Sequence, residues 1–405
     1  MEGAAAFYCF ATLYAWLLWR DAQLNSTAAD NSRRGRISTA DSRLLLTGLL
    51  AGSAVATKYP AALFVVVPFI SLVAWYGGAE RVRSIVLFVL MVTITCGPWL
   101  AKNAYFTGNP TYPLLYSVFG GATWNREKDT RWQAAHRPTN FSIVDTHGRS
   151  TDLLDSIANV IVRSPWLNLF TWPLAAMTLL SAARAGKHRD RRAMLLWGYL
   201  LFVLVAWWLF THRIDRFWIP ILPVASLLAG IGATTYAGRA WWSVIGVALL
   251  LGLSYDFAAV ATNTGPGSSN RFFVSLAKLK NDPERIPAWQ QWLNQNTPQG
   301  KRVLCEGDAQ VFDLEMPILY HTAFDDSPLI ALVKGKSPDE IGAALTDVAF
   351  VYVNSNEISR YRSPGNYGFS DEVRPEVLED LVRQKILGPP IEQFRAAGVE
   401  IYPVQ

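Results

Sequence analysis

The sequence has 405 residues, 51% of them hydrophobic and 17% charged, with 16 Trp. Those proportions exclude a disordered chain, a collagen-like repeat and a disulfide scaffold. The formal net charge of +5 is unevenly placed: residues 1–260 carry 23 Lys+Arg against 13 Asp+Glu, whereas residues 261–405 carry 14 against 19.

In chain order, eight apolar segments come first: 3–19, 44–57, 60–76, 84–101, 165–183, 193–210, 217–236 and 240–260. Most approach the roughly 20 residues that carry a helix across a ~30 Å hydrocarbon core. A helix satisfies its own backbone hydrogen bonds, which lipid cannot do for it. Segment 44–57 is short, and Lys58-Tyr59-Pro60 separates it from 60–76. The pair reads as a helical hairpin that does not fully cross the membrane, with one kinked helix over 44–76 as the alternative. The basic excess sits between apolar runs, which argues against a nucleic-acid surface.

Charge placement orients the segments. The links 20–43, 77–83, 184–192 and 237–239 hold 13 Lys+Arg in 43 residues, and the long link 102–164 holds 7 in 63. By the positive-inside rule the first group is cytoplasmic. The loop 102–164, the short loop 211–216 and everything after 260 then face outward. Segment 3–19 has no basic stretch before it, so no cleavable signal is read there. An outward start without one suggests either a missing upstream part or a misassigned start codon.

After 260 the texture changes. Asn263–Asn270 has linker composition, and 261–284 separates a bundle over 1–260 from a soluble domain over 285–405. A helical pattern covers 285–296, and strands are predicted at 302–306, 348–354 and 399–402. A capping box at Ser337 and Glu340 starts a helix, and 373–386 is amphipathic. Alternating strands and helices indicate a small α/β domain. The fold class is therefore an α-helical polytopic membrane bundle of about eight spans followed by a small soluble α/β domain. Cys9, Cys96 and Cys305 are too scattered for a disulfide or a structural zinc, and no metal or cofactor motif is identified.

Three places hold ionisable or rigid chemistry near membrane depth. Lys58 lies at the outward ends of two short helices, as an interfacial snorkelling lysine or as a cation for a lipid-linked phosphate. Thr211-His212-Arg213-Ile214-Asp215-Arg216 packs two Arg, one Asp and one His into a loop too short to leave the membrane surface. Arg suits bidentate phosphate contacts; an Arg–Asp interfacial anchor is the alternative. Pro98 through Pro113, with Lys102, Asn103, Asn109 and Tyr112, reads as a rigid re-entrant or surface loop. The loop residues Asp129, Asp145, His147, Asp152 and Asp155 match no metal spacing.

These stretches resemble the GT-C glycosyltransferases of the dolichyl-phosphate-mannose-protein mannosyltransferase and aminoarabinose-transferase type. Gly48 through Pro60 looks like the family's GLxxGxAxxTKxP helix end. Pro98-Trp99 through Asn103, Gly108-Asn109-Pro110, Tyr112 and Pro113 look like its PWxxxNxxxTGNPxYP loop. Arg216-Phe217 through Pro220 and Pro223 look like its RYxxPxxP span start.

The resemblance implies an integral protein of the plasma or inner membrane, with its C-terminal domain extracytoplasmic. It implies transfer of a sugar from a polyprenyl-phosphate donor to an acceptor hydroxyl on the outer face. Lys58, Arg213 and Arg216 would stabilise the leaving phosphate; no catalytic residue is identified, with Glu2, which matches an acidic position that precedes the corresponding helix, as the candidate. A divalent metal serves some members. The family's further N-terminal spans, with the acidic loop usually assigned as base, have no match here. The sequence thus resembles the C-terminal two-thirds of such an enzyme, and the 405-residue chain alone is expected to be inactive. A non-catalytic membrane scaffold, or a transporter or flippase of lipid-linked sugars, is the alternative function.

Overall fold

The structure is a computed structural model that describes residues 2–25, 38–136, 158, 167–184, 191–211, 213, 215–261, 275–280, 285–364, 366 and 368–405. Two compact units form, one from Met1–Lys102 and Arg137–Asn270, the other from Asn103–His136 and Arg271–Gln405. This division differs from a bundle over 1–260 carrying the whole loop 102–164. Residues 103–136 gather with the C-terminal residues because their side chains bond to segments around 324 and 371. The linker residues 263–270 lie outside the described residues.

The first unit is helical: α1 (Glu2–Asn25), α2 (Thr39–Thr57), α3 (Val67–Tyr76, entered through a π-turn at Ala62–Val66), α4 (Arg81–Thr107), α5 (Thr171–Arg184), α6 (Arg191–Phe210), α7 (Leu222–Ala233) and α8 (Arg239–Ala261). Each of the eight apolar segments thus contributes to a helix. Among the described residues, three helical stretches are long and apolar enough to cross a membrane: Gly78–Thr107, Arg192–Phe210 and Arg239–Ala258. Ala62–Tyr76, Thr171–Leu180 and Ile219–Ala233 are shorter apolar helices.

The chain breaks at Lys58, whose backbone is extended (φ −161°, ψ 125°). It then returns, so that Tyr76 and Phe69 of α3 pack edge-on against Trp16 of α1. This is a hairpin and not one kinked helix. Pro60 opens the returning helix, where its missing N–H leaves no intrahelical bond unmade. The fully buried core includes Trp16, Phe64, Phe69, Phe88, Trp207 and Trp218.

Glycines set the closest helix approaches. A Cβ at Gly48 would sit 2.6 Å from the Phe88 carbonyl oxygen, and one at Gly52 2.6 Å from that of Val92. The Gly48–Gly52 spacing therefore lets α2 lie directly on α4, as small residues four apart do in membrane helix pairs. Gly232 of α7 does the same against the Leu174 carbonyl of α5.

The second unit contains a four-stranded sheet in the order β2-β1-β3-β4, with β1 Arg302–Glu306, β2 Ile318–Tyr320, β3 Val348–Asn354 and β4 Val399–Pro403. The first three run parallel, and β4 pairs antiparallel with β3. Period-two alternation sends Leu304, Val351 and Val353 to a core shared with helices Pro338–Ala344 and Pro375–Arg383. Val303, Cys305, Tyr352 and Ile401 pack with Leu293 of helix Ala288–Asn296. The sheet is buried on both faces, as parallel strands require. Ser337 and Glu340 form the capping box that their spacing predicts. Strand β2 and the helices Pro328–Val333 and Ser355–Arg362 carry too weak a pattern to be read from sequence.

Gly52→Val should cost about 1–3 kcal/mol by forcing α2 from α4. Gly230→Ala, on α7 with nothing within 4 Å of the new Cβ, should leave stability unchanged or raised. Thermal unfolding of the detergent-solubilised protein separates the two.

Candidate functional site

The helices of the first unit gather charge at their two ends. At one end, Asp21 of α1 pairs with Arg20 and with Arg192 of α6, both at 2.7 Å, and Asp41 of α2 pairs with Arg83 of α4 at 2.9 Å. From Glu2 to Arg20, α1 rises roughly 27 Å at 1.5 Å per residue, close to the hydrocarbon thickness of a bilayer.

At the other end of α1, Glu2 Oε1 lies 2.9 Å from Lys58 Nζ and 3.6 Å from Arg216 Nε. The Lys58 ammonium also sits 3.8 Å from the centre of the Phe217 ring, a cation–π contact. Local structure positions all three. Glu2 opens α1, where a carboxylate favours the helix dipole. Lys58 caps the broken end of α2, and Arg216 lies in a 3₁₀ turn, Asp215–Phe217, ahead of α7. Pro60, Ala61, Phe64 and Pro220 complete an apolar wall. The remaining cavity is about 10 Å3, the room of a single water. Side-chain exposure is 22% for Lys58, 29% for Glu2 and 57% for Arg216, so the cluster lies at a surface.

Arg213 is elsewhere. Its backbone is left-handed (φ 58°), its Nε donates to the Trp208 carbonyl at 3.0 Å, and its guanidinium lies 4.2 Å from the Trp208 ring centre. It is buried against the end of α6 and does not line the Lys58 cavity. His212, Asp145, His147, Asp152 and Asp155 lie outside the described residues. Lys102 is exposed, with its ammonium 4.8 Å from the Trp99 ring centre.

Asn103, Asn109 and Tyr112 build a loop. The Asn109 side chain is fully buried. Its Nδ2 donates to the carbonyls of Leu114 and Gly120 at 2.8 and 3.0 Å, and its Oδ1 accepts from the Thr111 N–H at 2.8 Å. Asn103 Nδ2 donates to the Pro110 carbonyl at 3.4 Å. Tyr112 donates its hydroxyl proton to the Phe324 carbonyl at 2.8 Å, and Trp124 stacks on Phe324. The motif is thus a staple that fixes residues 103–124 to the 322–326 segment.

The second unit holds a cleft of about 580 Å3 that sequence reasoning missed. It opens at the carboxyl ends of β1 and β2, where parallel α/β sheets place ligands. Buried beneath it, Glu306 Oε2 is 2.6 Å from His321 Nε2, and Glu306 Oε1 accepts from Ser327 Oγ at 2.7 Å and from the Leu329 N–H at 3.0 Å. His321 Nδ1 faces the Thr322 carbonyl at 3.1 Å.

The cleft's cations are matched: Lys128 with Asp326, Arg131 with Glu127 and Asp371, Lys334 with Glu372. Apart from the i,i+4 pair Glu127–Arg131, these partners lie about 40 to 240 residues apart, so no spacing could have revealed them. Among the described residues, no group of three or more His, Cys, Asp or Glu could hold a metal ion.

A family model described as a domain of unknown function, DUF8201, matches residues 23–223. No curated protein matches the chain. The chain is similar to the crystal structure of ArnT from Cupriavidus metallidurans bound to undecaprenyl phosphate. The TM-score is 0.48 at 13% identity, over 96% of this chain and 73% of that one.

Asn109→Ala would remove the side-chain donor to the Gly120 carbonyl and one of the two side-chain donors to the Leu114 carbonyl, at about 0.5–1.5 kcal/mol each. Hydrogen exchange over 107–121 should rise by an order of magnitude or more, with the sheet unaffected. A milder test concerns Asp371. The Arg131 guanidinium at 2.7 Å holds its carboxyl below the usual carboxylate range. A carboxyl lowered on folding stabilises fully at neutral pH, and that contribution fades as acid carries it through its lowered value, below about pH 4. Exchange of helix Arg126–His136 should therefore rise below pH 4, and Asp371→Asn should show the same rise at pH 7.

Proposed function

We propose that this chain is a membrane glycosyltransferase, or a part of one, that takes a sugar from a polyprenyl-phosphate donor to an acceptor on the outer face of the membrane. The observation that carries the reading is the meeting of Lys58 and Arg216 around one carboxylate, beside an apolar wall, at one end of a bundle of apolar helices. The two cations come from motifs 158 residues apart that both belong to the family pattern. A phosphate at this level would find an ammonium and a guanidinium, and its isoprenoid chain would find apolar surface.

In this reading Lys58 and Arg216 take up the charge that develops on the phosphate as the anomeric C–O bond breaks. The acceptor hydroxyl attacks the anomeric carbon, and its proton goes to a carboxylate base. Arg213, turned against Trp208, has a supporting role in the 211–216 loop. The apolar segments form a bundle of about eight spans in which the 44–76 hairpin does not fully cross, with the basic links cytoplasmic and the Lys58 end outward, together with the domain over 285–405.

Binding tests this without requiring turnover. In nanodiscs, the chain should bind undecaprenyl phosphate, and Lys58→Ala or Arg216→Ala should weaken that binding about tenfold or more, as for a charge-assisted contact of 1.5–3 kcal/mol. Arg213→Ala should change it little. Equal affinity in the wild type, Lys58→Ala and Arg216→Ala would remove both residues from the donor site.

A further inference from the structure

The cleft of the second unit is lined by charge, but its charges are already matched. Among the described residues, five carboxylates and three cations line its volume of about 580 Å3. Lys128 Nζ lies 2.9 Å from Asp326 Oδ1 and donates to the Thr123 carbonyl at 2.7 Å. Arg131 Nη2 is shared, at 2.7 Å each, between Glu127 and Asp371, and Lys334 pairs with Glu372. The fifth carboxylate, Asp325, accepts from the Thr322 N–H and Oγ1 at 3.1 and 2.8 Å. An anionic ligand would meet more carboxylates than cations and would have to break these pairs. An added cation would have to compete with a resident one at four of the five carboxylates. An apolar ligand would strip water from all of these groups and return no hydrogen bond.

A hydroxyl meets none of these obstacles. It both donates and accepts hydrogen bonds, so it can bridge the two ends of an ion pair without separating them. Glu127, Asp326, Asp371 and Lys334 are more than half exposed. Their remaining hydrogen-bonding capacity faces solvent, where a ligand hydroxyl can replace a water. Between the charges, Ala323, Ile330, Ala331 and Phe369 line the same cleft, an apolar surface suited to the C–H face of a sugar ring. We propose that this cleft is a binding site for a neutral carbohydrate, a ligand with several hydroxyls and an apolar ring face and no phosphate, carboxylate or ammonium group. Its volume falls within the ~300–1,000 Å3 of small-molecule sites. The assignment concerns the second unit alone and goes beyond the donor site at Lys58.

The floor of the cleft is held in place by the protein itself. Glu306, fully buried at the end of β1, accepts from Ser327 Oγ at 2.7 Å and from the Leu329 N–H at 3.0 Å, and its Oε2 lies 2.6 Å from His321 Nε2. One carboxylate thus ties down both ends of the 321–329 segment. Tyr112 holds the middle of that segment through the Phe324 carbonyl at 2.8 Å. Lining groups fixed in this way lower the ordering cost of binding. Glu306, His321 and Ser327 are positioning residues here, and the ion-pair rim supplies the contacts to the sugar.

The test is a glycan array probed with the full chain in nanodiscs, carrying neutral hexose and pentose oligosaccharides and their uronate, phosphate and amino counterparts. Neutral glycans should be retained over the three charged sets. Ala331→Trp fills the cleft from an exposed helix position and touches none of the ion pairs. It should weaken the retained glycan about tenfold or more, whereas Lys58→Ala, in the donor site, should leave it unchanged. On the wild type, the bound glycan should slow amide exchange of helix Arg126–His136, which supplies one wall. That measurement locates the sugar without relying on the fold of the tryptophan variant. No retention, retention led by a charged set, a folded Ala331→Trp variant that binds as the wild type does, or unchanged exchange of that helix would each overturn the carbohydrate site.

Discussion

A charged group next to hydrocarbon must be paired or must reach water, and the first unit is organised around that rule. Its apolar helices bury Trp, Phe and Leu along their lengths and keep their charges at their ends. One end closes with Asp21 and Asp41 held by Arg20, Arg192 and Arg83; the other closes with Glu2 held by Lys58 and Arg216. Apart from Arg20 and Asp21, which are neighbours on α1, each pair ties different elements, so satisfying the charges also fixes which helices are neighbours and in which direction they run.

Between those ends the packing is steric. Gly48 and Gly52 bring α2 onto α4, and Gly232 brings α7 onto α5, at distances where a methyl group would strike backbone. Close packing of this kind places the broken end of α2 beside the first turn of α1 and the turn before α7. The Lys58 cluster is therefore a product of helix packing as much as of its own residue types. In the second unit a single amide plays the corresponding part. Asn109 gathers the carbonyls of Leu114 and Gly120, and Tyr112 then reaches the Phe324 carbonyl.

Sequence and structure agree where the signal is local. The apolar segments contribute to helices because a long apolar run offers the backbone no other partner. The strands at 302–306 and 348–354 match their β-branched and aromatic alternation, and Ser337 and Glu340 cap as their spacing demands. The disagreements are where local signal is weak or ambiguous. Strand β2 has three residues, too few to alternate visibly. Loop 102–164 reads as one connection because a stretch between spans is grouped with them by default. In the structure its 103–136 part gathers with the C-terminal residues, through Lys128, Arg131 and Tyr112. Arg213 and Arg216 look equivalent in sequence, but a left-handed backbone at Arg213 turns one guanidinium onto Trp208 while the other stays near Glu2.

By itself the sequence determined most of the helices and three of the four strands, the apolar character of the first 260 residues and the residue types available for binding an anion. Those follow from periodicity, capping and composition, which act over a few residues. The tertiary structure decided which of those residues meet. Glu2 and Lys58 are 56 positions apart, and Glu306 reaches His321 only because β1 and β2 run side by side. Such partnerships depend on how helices and strands pack, and packing distances are not written in any local pattern. That is why Lys58 can be nominated from sequence as a cation for a phosphate, while the carboxylate already resting on it appears only in three dimensions.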